Sequence, residues 1–494
     1  MSENVTSAPD PGRWRALTIC LAGGFMVLLD VSIVNVALPA IREGIGASAS
    51  DLQWIISGYA LAFGLILVPA GRLGDMRGRR RMFVIGLVVF TLSSAVCGAA
   101  QDSGWLVGAR LVQGLGGGIL TPQITAFIQE LFAGRERGVA FGAFGSMVGI
   151  ATAIGPVLGG ALIQIFGATD GWRWVFYINV PIGVVLVPVA MRMLPGHDRD
   201  TGAARHDLDL IGVGLFGAGT VALLLPLIEF QEWSAVRICS LIAVAVLLLA
   251  AFVVREHRYA AYGHEPLLDL SLFRIRSYAF GTSMITIYFA GFVPLFFVFT
   301  LYLQTGLGYS ALGAGLAILP FALGSGAAAA LGGRIVGRYG RPLVVLGLVV
   351  VAVGYAGSLV AIRIGSPSTT AWLTALPLLV AGIGSGLVIA PNQTLTLSEV
   401  PVPQAGSAGG LMQTGQRIGT AVGVAAVGTL FFGRVADSRG QDWTGAYQVG
   451  IVVAIGFVLV ALVVAVMDVV LDGGSERPAT QGRQPSQSAA RRVQ

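Results

Sequence analysis

The segment from Gln53 to Met82 constrains this chain more than any other, because a long apolar run stops there abruptly in five arginines and one aspartate. A membrane-spanning helix needs roughly 20 apolar residues, and this run supplies them. Arginines clustered beside such a helix mark its cytoplasmic side. The segment therefore predicts both insertion into a bilayer and the orientation of the chain within it.

The composition points the same way, since 55% of the residues are hydrophobic, only 11% are charged and 70 are glycines. Water-soluble chains of 494 residues do not usually have this composition. The net charge of +6 comes from arginines that lie mostly between apolar runs. It therefore indicates orientation in the membrane, with the lipid bilayer as a partner, and no nucleic acid partner is expected. Cys20, Cys97 and Cys239 lie inside apolar stretches, so we expect neither disulfides nor a metal site.

The apolar runs predict about fourteen membrane helices and a multi-pass protein of the cell membrane. An even number of helices places both termini on one side, and the distribution of arginines makes that side the cytoplasm. Residues 1–15 are then a cytoplasmic N-terminus, and residues 472–494 form a cytoplasmic tail that is too polar to fold. The runs are 16–38, 52–71, 83–101, 105–125, 139–163, 174–194, 209–229, 236–254, 278–303, 310–331, 343–363, 371–395, 405–431 and 446–468.

An internal repeat organises these helices. The segment Gly71–Arg79 recurs loosely as Gly333–Arg341, although the second copy lacks the acid. A second pair of similar segments begins at Gly114 and at Gly382. In transporters built from repeats, the substrate binds between the halves near the middle of the bilayer, and the halves rock around it. We predict two six-helix halves, 16–200 and 277–471, with an inserted helix pair and its linkers in 201–276.

The segment Gly71–Arg80, GRLGDMRGRR, resembles the loop between the second and third helices of the major facilitator superfamily. Other segments resemble the fourteen-helix drug:proton antiporter family of that superfamily: Leu28–Pro39, Arg110–Gly118, Gly155–Gly160 and Trp172–Gly183. The resemblance implies an all-α integral membrane protein with the superfamily fold. It also implies a proton-coupled exporter of amphipathic small molecules such as drugs, dyes or antibiotics, often cationic ones. Such a protein is not an enzyme, needs no cofactor because the proton gradient drives it, and is expected to act as a monomer.

Asp30 is the first candidate for proton coupling. If the first helix starts near Ala16, Asp30 lies roughly 20 Å along it, within a hydrocarbon core of about 30 Å. An acid at the centre of such a helix costs about 3 kcal/mol on insertion scales, which favours a cavity and protonation for part of the time. The alternative is a fixed structural hydrogen bond to a neighbouring helix.

Arg110 is the second candidate. An arginine cannot realistically lose its proton in a membrane, so its role is to bias the protonation of a nearby acid or to hold a water network. The resemblance places its motif in proton transfer. The alternative is an arginine near the membrane surface whose guanidinium extends outward to water.

The motif at the end of the second helix is the candidate cytoplasmic gate. Asp75 weakens the orientation signal of the arginines around it, so it needs another explanation. A carboxylate near helix ends binds arginines and the positive end of a facing helix, and the resemblance implies such a latch between the halves. The alternative is a solvated loop. The gate residues are Gly71, Arg72, Gly74, Asp75, Arg77, Gly78, Arg79 and Arg80.

A further motif, Gly155, Pro156, Gly159 and Gly160, resembles the fifth-helix motif of antiporters, although small residues also serve ordinary helix packing. Arg417 is an intramembrane charge on the thirteenth helix. Some relatives of the resembled family carry acids on this helix, whereas glutamines lie near Arg417, so we do not predict a second proton site.

Several polar residues of the predicted helices are candidates for lining a cavity, although such residues more often join helices. They are Asn35, Tyr59, Gln113, Gln123, Asn392, Gln393, Gln413, Gln416 and Arg417. Two other functions stay open. A dedicated exporter of one metabolite, lipid or siderophore would share every motif, and a non-transporting membrane sensor would be expected to carry a larger soluble segment than these loops provide.

Overall fold

The computed structural model describes residues 12–167, 169–196, 209–229, 233–262, 264 and 266–473. Within them, fourteen helical spans are long and apolar enough to cross a membrane, which confirms the predicted number. Parts of the predicted N-terminus and linker, and nearly all of the predicted disordered tail, lie outside the described residues. The helices are α1 Arg13–Ile45, α2 Ala49–Arg77, α3 Arg79–Gly98, α4 Ser103–Leu131, α5 Gly134–Phe166, α6 Gly171–Tyr177, α7 Asn179–Met193, α8 Leu210–Ile228, α9 Ala235–Ala261, α10 Arg276–Leu301, α11 Ala311–Tyr339, α12 Arg341–Ile364, α13 Thr370–Thr396, α14 Ala405–Asp437 and α15 Trp443–Gly473.

The predicted pair of six-helix halves is present, and the two halves repeat the same helix pairings. In the N-terminal half, α1 to α7, helix α2 packs on α4, α3 on α4 and α1 on α5. In the C-terminal half, α10 to α15, helix α11 packs on α13, α12 on α13 and α10 on α14. Helices α6 and α7 together make one span. The doubled sequence motif therefore reflects a doubled structure.

The halves meet along two seams, α2 with α14 and α5 with α11. Glycines bring the backbones together at equivalent places of the two seams. A Cβ atom at Gly71 would collide with the carbonyl oxygen of Gly406, and one at Gly333 would collide with that of Gly138. Gly71 and Gly333 are the first residues of the two motif copies, so the repeat supplies one close contact to each seam.

The local sequence fixes where α2 begins and ends. At its start, the Ser48 hydroxyl accepts from the backbone N–H of Asp51 at 3.1 Å, and the Asp51 carboxylate accepts from the N–H of Ser48 at 2.9 Å. This reciprocal capping satisfies two donors that the helix leaves free. After Arg77, Gly78 has a φ of 97°, a conformation that favours glycine. The chain thus turns sharply into α3, at what we call the arginine-rich end of the bundle.

The inserted helices α8 and α9 pack on each other, and α8 also packs on α2 and α14. Asp209, just before α8, accepts from Arg255 of α9, with Nη2 at 2.7 Å from Oδ1 and Nε at 2.8 Å from Oδ2. Burial opposes ionisation of Asp209, but the hydrogen bonds from Arg255 and from backbone N–H groups hold the pKa of this carboxyl below its usual range. The pair fixes the insertion as a hairpin beside one seam.

Candidate functional site

Asp30 lies at the middle of α1, about 26 Å from one end of the helix and about 23 Å from the other. Its side chain is 0% exposed. Oδ2 accepts from Nη1 of Arg110 at 2.6 Å, and Oδ1 accepts from Gln113 at 2.8 Å and from Asn179 at 3.0 Å. The structure therefore joins the two predicted coupling residues in one buried ion pair.

Arg110 is held from several directions. It is 2% exposed, about 10 Å along α4. Its Nε donates to the carbonyl oxygen of Ile55 at 3.1 Å and its Nη1 to Gln113 at 2.6 Å. Its guanidinium also lies 4.1 Å from the ring centre of Tyr59. An arginine in this setting does not extend outward to water, so the surface alternative does not describe it.

Sequence reasoning missed two residues of this network. Asn179 donates to Asp30, and Ser94 of α3 accepts from Gln113 at 2.7 Å. Asn179 is the first residue of α7, directly after the break at Ile178. Pro181 explains the break, because its ring cannot accommodate the carbonyl of the residue four positions earlier. An asparagine next to a proline-induced break was a usable signal for a polar site, whereas Ser94 gives none.

The hydrogen bonds of this network depend on the charge of Asp30. As a carboxylate, Asp30 uses both oxygens to accept hydrogen bonds from three side chains. A proton on either oxygen would remove the charge that holds Arg110 and would convert an acceptor into a donor. Buried groups whose partners depend on protonation in this way are able to couple proton binding to helix movement.

Asp75 joins the halves at the arginine-rich end. Its Oδ1 accepts from the backbone N–H of Gly406 at 3.0 Å, and its Oδ2 accepts from that of Ser407 at 2.9 Å. Both donors belong to the first turn of α14, where the helix dipole favours a negative charge. Asp75 thus lies on the positive end of a helix from the opposite half.

Arg79 reinforces the same contact. Its Nη2 lies 3.3 Å from Oδ1 of Asp75 and donates to the carbonyl oxygen of Val402 at 2.5 Å. Its Nη1 contacts Glu130 of α4 at 2.7 Å. Nearby, Nη1 of Arg137 donates to the carbonyl oxygen of Ser398 at 3.4 Å. The arginine-rich end is therefore closed by several bonds between the halves.

The other residues of the Gly71–Arg80 motif make contacts of different kinds. Gly74 lies against Gln123 of α4, where a Cβ atom would collide with the amide. Arg80 donates to the carbonyl oxygen of Leu194 at 3.3 Å, within the N-terminal half. Arg77 is exposed, and Arg72 lines a cavity of about 280 Å³ between the motif and the start of α14. The contacts between the halves are thus concentrated on Gly71, Asp75 and Arg79.

In the second motif copy, an arginine pairs with an acid that lies outside the motif. Nε of Arg341, the counterpart of Arg79, lies 2.8 Å from Oδ2 of Asp468 on α15. Arg341 also donates to Oδ1 of Asn392 at 3.1 Å, and Nδ2 of Asn392 donates to the carbonyl oxygen of Gly281 at 3.1 Å. Both polar groups of Asn392 are therefore engaged inside the C-terminal half. We predicted Asn392 as a possible cavity residue, and here it lies beside a small cavity of about 10 Å³ inside the C-terminal half.

Gln113 and Gln123, two further predicted cavity candidates, are engaged within the N-terminal half. Gln113 belongs to the Asp30 network, and Gln123 donates to the carbonyl oxygen of Ala70 at 2.9 Å. Both are fully buried and join helices here, and their contact with a ligand stays a prediction. Gln393 of α13 is also buried, whereas Asn35 of α1 is exposed.

The fifth-helix motif packs α5 on two neighbours. A Cβ atom at Gly155 would collide with Ser32 of α1, and one at Gly159 would crowd Ile33. Pro156 instead lies against Gly315 of α11, in the opposite half. Gly160 has no neighbour within 4 Å of the position that its Cβ would take. The motif therefore connects the helix that carries Asp30 to a seam between the halves.

The remaining candidates lie on α2 and α14, the two helices of one seam. The guanidinium of Arg417 lies 4.5 Å from the ring centre of Phe63 on α2. Gln413 precedes Arg417 by one helical turn on α14, and Gln416 is its neighbour. Tyr59, which contacts Arg110, precedes Phe63 by one turn, with the two ring centres 5.9 Å apart. We call Tyr59, Gln413, Gln416 and Arg417 the seam cluster.

Comparison with known proteins agrees with this architecture. Residues 20–424 match the family described as Major Facilitator Superfamily. The chain belongs to this superfamily. A solved structure of the proton:xylose symporter XylE superposes with a TM-score of 0.59 at 17% identity, covering 90% of this chain and 94% of that one.

Two curated relatives are similar over most of their length. The probable actinorhodin transporter of Streptomyces coelicolor is 38% identical over 87% of this chain and 75% of the relative. The puromycin resistance protein of Streptomyces alboniger is 33% identical over 92% of this chain and 91% of the relative. These matches confirm the resemblance to antibiotic exporters of the superfamily. This superfamily member is a multi-pass membrane transporter of small molecules and not an enzyme.

Proposed function

We propose that this superfamily member is a proton-driven exporter of amphipathic small molecules, such as drugs, dyes or antibiotics, in the cell membrane. The similarity to two antibiotic-linked proteins supports the class of cargo. The observation that carries the proton coupling is the buried pair of Asp30 and Arg110 at the middle of the bundle. Asp30 of this pair is an ionisable carboxylate at a depth where a charged side chain is costly to insert, and this cost favours a functional role over a purely structural one.

In the proposed cycle, a proton from the outside binds Asp30 and leaves to the cytoplasm. Protonation releases Arg110 from its counter-ion, and the freed guanidinium keeps its bonds to Gln113 and to the carbonyl oxygen of Ile55. Because Asp30 also binds Asn179, loss of its charge weakens contacts of α1 with both α4 and α7. The relative position of α1 therefore depends on the proton. No cofactor takes part, and one chain is the working unit.

The arginine-rich end is the cytoplasmic end in this proposal, with both termini on that side. Asp75 and Arg79 hold the halves together there, so the conformation described is closed to the cytoplasm. Opening requires Asp75 to leave the first turn of α14. A ligand or proton that stabilises the opened arrangement shifts the balance between the two states.

Efflux from proteoliposomes tests the proposal. Purified protein should move several structurally different dyes or antibiotics against their gradients when a pH gradient is imposed, and an uncoupler should abolish the movement. Movement of a single compound from a broad panel would favour the dedicated exporter. Movement that is insensitive to the uncoupler and to the pH gradient would exclude proton coupling, and failure to move any compound would favour the non-transporting sensor.

A further inference from the structure

Arg417 differs from the other interior arginines in the chemistry of its neighbouring side chains. Arg110 pairs with Asp30, Arg79 with Glu130, and Arg341 with Asp468. Arg417 is half-buried, about 18 Å along α14. Among the residues that the structure describes, no carboxylate lies within ion-pair distance of it, and its recorded contact is the ring of Phe63. A positive charge at this depth without a counter-ion is costly, which marks it as a functional group.

The packing of α14 shows where this charge points. Gly419 and Gly423 lie against backbone carbonyls of α10, within the same half. Gly409 instead meets Thr125 of α4, and Gly410 meets the backbone of Leu67 on α2. Residues three to four and seven positions further along a helix share one face. Gln413 therefore follows the stripe of Gly409 and Arg417 follows that of Gly410, so both side chains face the N-terminal half, and Gln416 lies at the border between this face and the one that packs on α10.

The polar groups beside Arg417 are all uncharged. The Nε2 groups of Gln413 and Gln416 and the hydroxyl of Tyr59 are buried and have no hydrogen-bond partner. Gln413 is 6% exposed and Tyr59 is 3% exposed. Each of these groups is able to donate, and the guanidinium adds further donors. Four donor groups with no acid among them match a ligand that supplies negative charge and acceptor oxygens.

We propose that the seam cluster binds a carboxylate of the transported molecule, with Arg417 as the charge-bearing contact and Gln413, Gln416 and Tyr59 as neutral donors. This inference rests on the proposed export function and names a chemical requirement of the cargo. It departs from the expectation of cationic cargo, because a cationic group would meet Arg417 with like charge. A cation elsewhere in the molecule is compatible with this site as long as the acidic group reaches α14.

Matched dye pairs test this site on the purified full-length protein. Rhodamine B and fluorescein each carry a carboxylate that their ethyl esters lack, while the ring system stays the same. Fluorescence anisotropy should show that the wild type binds the acid at least about tenfold more tightly than the ester in one or both pairs, since hydrogen bonds to charged groups are among the stronger polar contacts. Arg417→Gln should remove this preference, and Arg417→Lys should keep part of it.

The control is Arg363→Gln, which removes an exposed arginine at the other end of the bundle and should keep the preference. Each variant is compared with the wild type for monodisperse elution, so that loss of folding is recognised. A wild type with no preference for the acid in either pair, or an Arg417→Gln variant that keeps the preference, overturns the proposal. Gradient-driven efflux of the esters without preference for the acids would overturn this site and leave the export function standing. If no dye or antibiotic moves, the export function itself fails.

Discussion

Nη1 of Arg110 lies 2.6 Å from Oδ2 of Asp30, and both side chains are withdrawn from solvent in the centre of the N-terminal half. The pair links α1 to α4. Within the part of the chain that the structure describes, neither charge has a second partner of opposite sign at ion-pair distance. A change in the charge of Asp30 therefore leaves Arg110 without its counter-ion. This dependence underlies the first two predictions.

Asp30→Asn should abolish efflux driven by a pH gradient while leaving exchange of cargo across the membrane partly intact. Asparagine keeps the size of the side chain but cannot exchange a proton. Proteoliposomes with an imposed pH gradient, in which cargo and internal pH are both followed, measure the two activities. Glu43→Gln is the matched control, because it neutralises an exposed acid on the same helix. Full proton-driven efflux by Asp30→Asn would remove Asp30 from the coupling mechanism and turn attention to Arg417 and its polar neighbours.

Arg110→Gln should destabilise the protein more than the double variant Asp30→Asn with Arg110→Gln. The single change leaves a buried carboxylate without its counter-ion, which costs about 3–5 kcal/mol in other proteins. Removing both charges removes that penalty, so the effects should not add. Thermal unfolding of the four proteins in detergent gives the comparison. Additive losses of stability would mean that the two groups do not depend on each other in solution.

The depth of Asp30 and the doubled motif could be recognised in the sequence, since apolar run lengths and glycine-arginine spacing are local properties. The hydrogen-bond partners of these residues could not be recognised in the sequence. Asn179 is 149 positions from Asp30, and a change of one residue turns a side chain by about 100° around its helix. The same limit hid Asp468 as the partner of Arg341. It also placed Asn392 with the cavity candidates, because a polar residue that joins helices looks the same in sequence as one that faces a ligand.

Asp75→Asn should slow the transport cycle by about tenfold while insertion into the membrane stays normal. The carboxylate accepts from two N–H groups of α14, and the neutral amide loses the charge and one acceptor oxygen, so the closed state is weakened. Initial rates per molecule of purified protein provide the measurement. Asp170→Asn, an exposed acid distant in sequence, should leave the rate unchanged. A normal rate for Asp75→Asn would reduce the motif to an orientation signal.

Both termini should be inaccessible to impermeant thiol reagents in intact cells. The clustered arginines predict this side to be cytoplasmic. A cysteine at Ser488 in the tail should react only after permeabilisation, whereas one at Ser366, between α12 and α13, should react at once. The native cysteines are removed first. Reaction at position 488 in intact cells would invert the topology and with it the assignment of the gate.

Gly71→Ala should open the arginine-rich end, whereas Gly160→Ala should not. A methyl group at position 71 collides with the carbonyl oxygen of Gly406, which must move away from Asp75, but one at position 160 meets no atom within 4 Å. A cysteine in place of Thr125, on α4 opposite Gly409, reports the change in a background without the native cysteines. This position is buried in the closed conformation. Gly71→Ala should accelerate its reaction with a small maleimide, and Gly160→Ala should leave the rate as it is. Equal rates in the two variants would show that contact between the backbones of α2 and α14 does not hold this end closed. The latch would then rest on the hydrogen bonds of Asp75, Arg79 and Arg137.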